Sequence, residues 1–305
     1  MTYFSFFISS NMQQTLSRQI LAFSLALLLF SCRNQQDQAF RFNLQPGITY
    51  RFALAWDMTR ELAGEQSVLS FGTSYAMQVK HKEKDAFTLT ITYDNLRVKM
   101  HMMGVEADVD TRQPFLDSTV DHLEIPEMIS RMFYGLKGRS FTLQINREGR
   151  VLQVTGLQEL EKEIVTSMGM PPEFLEAGQL LFRGQVNEEL LREQFERIFH
   201  IYPDREIVLG DSWQLPMESS GIRYQARFKV KELDEHFAGL EMDATIQSSG
   251  GEEPGEMKGR QEATLKVDRG SGMVLEGSYG QESTSVNGTD TMILRSSGKL
   301  TGALN

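Results

Sequence analysis

The sequence holds one cysteine in 305 residues. A single thiol excludes an internal disulfide and a four-thiolate zinc centre. Basic residues are also short, with 31 Lys and Arg against 41 Asp and Glu and a net charge of −10. A nucleic-acid partner is therefore not expected, because such a protein needs a basic face to displace counterions. No apolar run reaches the roughly 20 residues that a membrane-spanning helix requires. Phosphate loops, the pattern G-x-G-x-x-G and H-x-x-x-H pairs are all missing, so neither a cofactor nor a metal is expected. What is present is an ordinary globular composition, 40% hydrophobic and 24% charged. That length and composition suffice to bury a sizeable core.

The longest uncharged apolar stretch, Ile20–Phe30, has the length of a signal-peptide h-region, and Arg18 supplies the positive charge before it. Leu29-Phe30-Ser31-Cys32 then resembles a bacterial lipobox. On this reading residues 1–31 are a leader, and acyl chains such as palmitate on Cys32 anchor the mature chain in a membrane. The alternative is an ordinary secretory signal with an incidental cysteine. Met1–Asn11 is apolar and uncharged, unlike an n-region, so Met12 is expected as the true start. Residues 32–40 are polar and read as a lipidated tether. The segment RNQQDQ after Cys32 lacks an acidic cluster, which favours the periplasmic face of the outer membrane.

Beyond the tether, apolar residues alternate at period two, as in Tyr50-Phe52-Leu54, Phe87-Leu89-Ile91-Tyr93 and Tyr224-Ala226-Phe228-Val230. Helical spacing replaces it in two blocks. Asp121–Leu136 carries Met128, Ile129, Met132 and Phe133; residues 156–200 carry Leu157, Leu160, Ile164 and Val165, then Leu180 and Leu181, then Leu191, Phe195 and Phe199 behind an Asn187 cap. The expected fold class is α+β: a large curved antiparallel sheet with a helical segment inserted between two halves. Residues 41–156 form a first β-rich half with one helix, 157–203 a helical connector, and 204–305 a second β-rich half.

The halves look internally duplicated. Gly47-Ile48-Thr49-Tyr50 recurs as Gly221-Ile222-Arg223-Tyr224, and the hairpin pattern opening at Gly138 recurs at Gly259. Duplication would place the first half's extra residues between Met100 and Leu136. Convergence on a common hairpin is the alternative. Three features together carry a family resemblance: Asp117-Ser118, the Gly-x-x-Phe-Thr-Leu hairpin at Gly138, and the run Pro203 to Trp213 ending in Gly-Asp-Ser-Trp. On them the chain resembles the Bacteroidota lipoproteins grouped as a family of unknown function, DUF6263. The resemblance implies no activity. The inferred architecture is also similar to that of LolA-type lipoprotein carriers, which shelter acyl chains.

Candidate chemistry is sparse. Gly210-Asp211-Ser212-Trp213 invites a hydrolase reading with Ser212 as nucleophile, but no Asp-x-x-His follows, and a turn explains the residues as well. Ser296-x-x-Lys299 has a Ser–Lys spacing within a Gly/Ser-rich tail. Glu106, Asp108 and Asp110 share a strand face and suggest either calcium or a solvated edge, while Met100 to Met103 with His101 suggest soft-metal binding or core filling. Ser118 and Thr291 follow aspartates in the pattern of O-glycosylation sites. The expectation is a non-enzymatic envelope lipoprotein binding an apolar ligand or an envelope partner, with no catalytic residue. A structural protein without a pocket and a Ser212 hydrolase are the alternatives.

Overall fold

The computed structural model describes residues 41–102, 104–115, 124–167, 175–203, 205–219, 222–248, 256–287 and 290–304. These residues form one 12-stranded antiparallel sheet and four helices. In chain order the strands are β1 (Thr49–Leu62), β2 (Glu65–Lys82), β3 (Ala86–Met102), β4 (Val105–Asp110), β5 (Ser140–Asn146), β6 (Val151–Thr155), β7 (Ser212–Ser219), β8 (Ile222–Leu233), β9 (Phe237–Ser248), β10 (Glu256–Asp268), β11 (Val274–Asn287) and β12 (Asp290–Leu304). Helix α1 (Ile125–Leu136) precedes β5; α2 (Leu157–Ser167), α3 (Leu175–Gln185) and α4 (Glu188–Phe199) lie between β6 and β7. The strand order is β6-β5-β3-β2-β1-β12-β11-β10-β9-β8-β7, with β4 paired to the second half of β3. Each half is a meander, and the first and last strands of the chain close the seam between them.

Alternation decides which face each strand buries. In β8 the buried residues are Tyr224, Ala226, Phe228 and Val230, with Arg223, Gln225, Arg227 and Lys229 between them on the other face. The β1–β2 hairpin turns in two residues, Ala63 (φ 52°) and Gly64 (φ 85°), both in the left-handed region that a type I′ turn demands. The β5–β6 and β10–β11 turns share another device. Asn146 Oδ1 accepts from the Arg150 amide at 2.8 Å, and Asp268 Oδ2 accepts from the Ser271 amide at 2.8 Å. The repeated motifs nevertheless do not fall at equivalent steps. β2 and β3 separate β1 from β5, whereas β9 alone separates β8 from β10. The longer first half thus holds a whole extra strand as well as β4 and α1, not an insertion confined to 100–136. A Gly-Ile-x-Tyr start fits any strand that sends its tyrosine inward, as Tyr50 and Tyr224 both do.

The helices cover one face of the sheet. Phe195 of α4 meets the rings of Tyr75, Phe141 and Phe199, and Phe42 meets Phe199 and Tyr202. Asn187 caps α4, accepting from the Leu190 amide at 2.9 Å. In α3 the phase differs from the expected one. Gly178, Phe182 and Val186 form the buried stripe, while Leu180 is 64% exposed. Apolar residues on several sides of that short helix make its periodicity ambiguous.

The β6 and β7 edges of the sheet are protected. The Val151 amide of β6 donates to Glu196 Oε1 at 2.9 Å, and the Val151 carbonyl accepts from Arg192 Nη1 at 2.9 Å. Two α4 side chains thereby occupy backbone groups that a further strand would otherwise claim. On the opposite edge β7 carries Pro216, which has no amide to offer.

Candidate functional site

The two faces of the sheet differ in kind. The outer face is a lattice of cross-strand ion pairs: Arg51 with Asp94 at 2.9 Å, Lys231 with Glu241 at 2.9 Å, Lys266 with Glu276 at 3.2 Å, and Arg295 with Glu282 at 2.8 Å. Each contributes at most about 1 kcal/mol, but together they keep that face in water. A membrane-spanning barrel needs the reverse, an apolar outer band around a polar lumen. This sheet is polar outside and, among the described residues, ends at β6 and β4 on one side and at β7 on the other. No described helix is long and apolar enough to cross a membrane.

The inner face, against the helices, is apolar over β1–β3 and is filled over only part of its length. Where β1 begins, Tyr50 and Phe52 are buried with Met77, Tyr75, Phe141 and the α4 aromatics. Further along β1 the inward residues Leu54, Trp56, Met58 and Arg60 are only half-buried, as are Phe71 and Leu69 on β2, Met100 and Met102 on β3, and Met292 and Leu294 on β12. Trp56 lies 6.2 Å from Phe71, which meets Phe133 of α1 edge-on at 6.1 Å. This apolar region flanks the core and is walled by α1 on one side.

Its floor on β10–β12 is made largely of small or polar residues, with Tyr279 and Leu294 among them. By register the row through Trp56 continues as Gly298, Tyr279 and Ala263; the row through Met58 as Ser296, Gln281 and Gln261; and the row through Arg60 as Leu294, Ser283 and Gly259. The Tyr279 ring lies across Gly298 so closely that a Cβ there would collide with it. Burial holds the Tyr279 phenol above its usual range, partly offset by its hydrogen bond with Ser296. Apart from Glu65, Lys82 and Asp290, which are exposed at strand ends, Arg60 is the one charged residue on the inward face of the described strands.

The residues singled out from the sequence do not gather here. Ser212 is exposed at the start of β7. Its neighbour Asp211 binds Arg205 at 2.5 Å and accepts from the Val208 amide at 3.2 Å, and Gly210 has φ 87°. The motif is thus built as a turn, with Trp213 turned inward to stack on Phe228 at 5.4 Å. Trp213 also donates from Nε1 to the Ile201 carbonyl at 3.0 Å. Ser296 and Lys299 pair with Met58 and Ala55, which alternation puts on opposite faces, so no Ser–Lys dyad forms.

The β4 carboxylates face nitrogen-bearing side chains strand to strand: Glu106 opposite His101, Asp108 opposite Lys99, and Asp110 opposite Arg97. Asp110 accepts a forked bond from Arg112, which holds its carboxyl down at about 2. No group of three metal-ligating side chains occurs among the described residues. Met100 and Met102 face inward and His101 outward, so that run does not converge on one point. The crevice between α2 and α3 holds Arg183 already bound to Glu161 through Nε at 3.0 Å. Thr291 is exposed on β12; Cys32 and Ser118 lie outside the described residues.

What the sequence reading missed is the lining itself and its two odd members, Arg60 and Ser283. A signal was available in β1, where the inward series Tyr50, Phe52, Leu54, Trp56, Met58 breaks at an arginine.

No curated protein matches the chain. Among solved structures it is similar to the COG4313 outer membrane channel from Pseudomonas putida F1, at 7% identity over 86% of this chain and 97% of that one, with a TM-score of 0.22. It is also similar to a DUF1329 family protein from Desulfovibrio piger, at 6% identity over 81% of this chain and 83% of that one, with a TM-score of 0.15. Residues 84–274 match a family model, from β3 through α1–α4 to the first residue of β11, and the chain belongs to the family of unknown function DUF6263.

Proposed function

We propose that this chain is a non-enzymatic lipoprotein of the bacterial cell envelope, held by acyl chains on Cys32 at the periplasmic face of the outer membrane, and that its inner face binds an apolar ligand. The observation that carries the reading is the half-buried apolar surface around Trp56, Met58, Phe71 and Met100 beside a filled core. Methionines and aromatics in a concave setting suit ligands of variable shape.

Two hydrogen bonds support a curved sheet. The Phe42 amide donates to Arg147 in the β5–β6 turn at 2.9 Å, and the Asn43 amide donates to Ser271 in the β10–β11 turn at 3.0 Å. β5 and β10 are six steps apart in the strand order. In a flat sheet six steps span about 29 Å, while consecutive Cα atoms are about 3.8 Å apart. That adjacent residues reach both turns supports a sheet curled round the helices, with a hollow on its inner face.

Native mass spectrometry of the chain from Arg33 to Asn305 tests the reading. That segment contains every buried residue of the core. Expressed in a bacterial periplasm and kept free of detergent, it should carry adducts of lipid mass that vanish on unfolding. A bare protein mass, with added lipid also giving no adduct, overturns the apolar-ligand reading.

A further inference from the structure

Among the described residues two buried side-chain polar atoms have no hydrogen-bond partner, Arg60 Nε and the Ser283 hydroxyl. The register puts them in one row. Arg60 on β1 is opposite Leu294 on β12, and Leu294 is opposite Ser283 on β11. Both project from the inward face, at the border of the half-buried apolar surface. Leaving a buried polar group unpaired costs about 1–3 kcal/mol, more when it is charged. Such groups are rare in native folds, so two in one row mark a place where something else supplies the partners.

The surroundings define that partner. Arg60 is flanked along β1 by Met58 and Leu62 and across the sheet by Leu294 and Ser67. Its guanidinium therefore emerges from an apolar wall. Glu65, opposite Leu62, is exposed at the turn and makes no ion pair with it. Arg197, the other inner cation in this region, already lies over the Tyr224 ring at 5.6 Å. Ser283 is 2% exposed, and its hydroxyl can donate to a neutral oxygen. Two strand steps separate the two groups, about 10 Å between backbones.

We infer that this row holds the head of an acyl-chain amphiphile, a phosphate on the Arg60 guanidinium and a neutral ester oxygen on the Ser283 hydroxyl, with the chain lying along Met58, Leu69, Trp56 and Phe71. The inference rests on the apolar-ligand reading and deepens it by naming the ligand class, an anionic glycerophospholipid. A guanidinium fork matches phosphate geometry, and the low polarity around it strengthens the bond.

Three single-chain probes with the same acyl group separate the contributions, each used below its micelle concentration in equilibrium dialysis against the Arg33–Asn305 chain. Oleoyl lysophosphatidylglycerol carries both phosphate and ester, oleate carries only an anion, and monooleoylglycerol carries only the ester. The lysophospholipid should bind about tenfold more tightly than either of the others. Arg60→Met should bring it down to the monooleoylglycerol level and leave that neutral probe unchanged. Arg60→Lys, which keeps the charge but loses the fork, should fall between. Ser283→Ala should weaken the lysophospholipid severalfold and leave oleate unaffected. Equal binding of the lysophospholipid and the neutral probe overturns the role of Arg60 while the apolar site stands. Equal binding of the lysophospholipid and oleate overturns the two-point head. Binding of none of the three overturns the apolar-ligand reading itself.

Discussion

The clasp between α4 and the β6 edge is open to a direct test. Val151 is 3% exposed, and its amide has Glu196 Oε1 as acceptor at 2.9 Å. Glu196→Ala removes that acceptor from an amide that water reaches poorly. The loss is the desolvation penalty of one unpaired N–H, about 1–3 kcal/mol. Glu196→Gln keeps an acceptor oxygen but turns a charge-assisted bond into a neutral one, and should lose about half as much. For a domain of this size 1 kcal/mol shifts Tm by about 2–4 °C, so the alanine variant should melt about 6 °C lower at the middle of both ranges. Urea titration gives the free energies, and hydrogen exchange at the Val151 amide gives the local event. Exchange there should accelerate in Glu196→Ala before any global loss of protection. An unchanged Val151 rate with an unchanged urea midpoint would refute the clasp. Arg192→Ala adds a check, because Arg192 donates to the Val151 carbonyl and also pairs with Glu188 at 2.8 Å. Its effect should be non-additive with that of Glu196→Ala, since both act on one residue of the edge.

Three further outcomes are expected. Cys32→Ser should abolish metabolic incorporation of palmitate and release the protein from the membrane fraction; continued labelling would refute lipidation at that thiol. Ala63→Asn should raise stability by about 0.5–1 kcal/mol in urea titration, because Asn accepts the left-handed φ of 52° that the type I′ turn imposes on Ala63; a loss of stability would refute the strain. The Asp110 carboxyl, lowered by the Arg112 hydrogen bond to about 2, should titrate there by NMR, and Arg112→Ala should return it towards the ordinary range. Its folded pKa lies below its unfolded value, so the stability it contributes is full above about pH 4 and lost as pH falls through about 2.

Local rules carried much of the fold. Alternation in Tyr224-Ala226-Phe228-Val230 predicts a strand with those four residues inward, and Asn187 with the spacing of Leu191, Phe195 and Phe199 predicts α4 and its cap. Asn146 and Asp268 mark their hairpin turns because a short side-chain acceptor closes the bend within a few residues. What escaped was non-local. Nothing near Thr49 says that β1 will pair with a strand ending at Leu304, since the pairing depends on closing a loop nearly as long as the chain. The α3 phase escaped because Leu180 reads in the sequence as no less apolar than Phe182 and Val186, which outcompete it once the sheet is in place. The candidate site was half legible. Its methionines and aromatics were visible, but whether they fill a core or line a hollow depends on what faces them across the sheet.

That dependence explains why the filled and half-filled parts of the inner face adjoin. In the filled part both layers are bulky, with Phe52, Tyr75 and Phe141 on the sheet and Phe195 and Phe199 on α4. In the half-filled part the β1–β3 wall remains bulky, with Trp56, Phe71 and Met100, but the β10–β12 floor drops to Gly259, Gln261, Ser283, Ser296 and Gly298. A sheet selected only to close on itself would carry branched aliphatic residues at those floor positions, because each large side chain buried adds about 1.5–3 kcal/mol. Glycine in a strand interior forgoes that gain and weakens the strand. Small floor residues are reasonable where another group must approach: the Tyr279 ring rests on Gly298 and Ser283 packs against Gly259, which leaves Gln261 and Ser296 among these positions. The remaining floor, beside an aromatic and methionine wall and ending at a guanidinium whose Nε is unpaired, has the asymmetry that motivates the proposed amphiphile site: dispersion contacts along its length and one charge at its end.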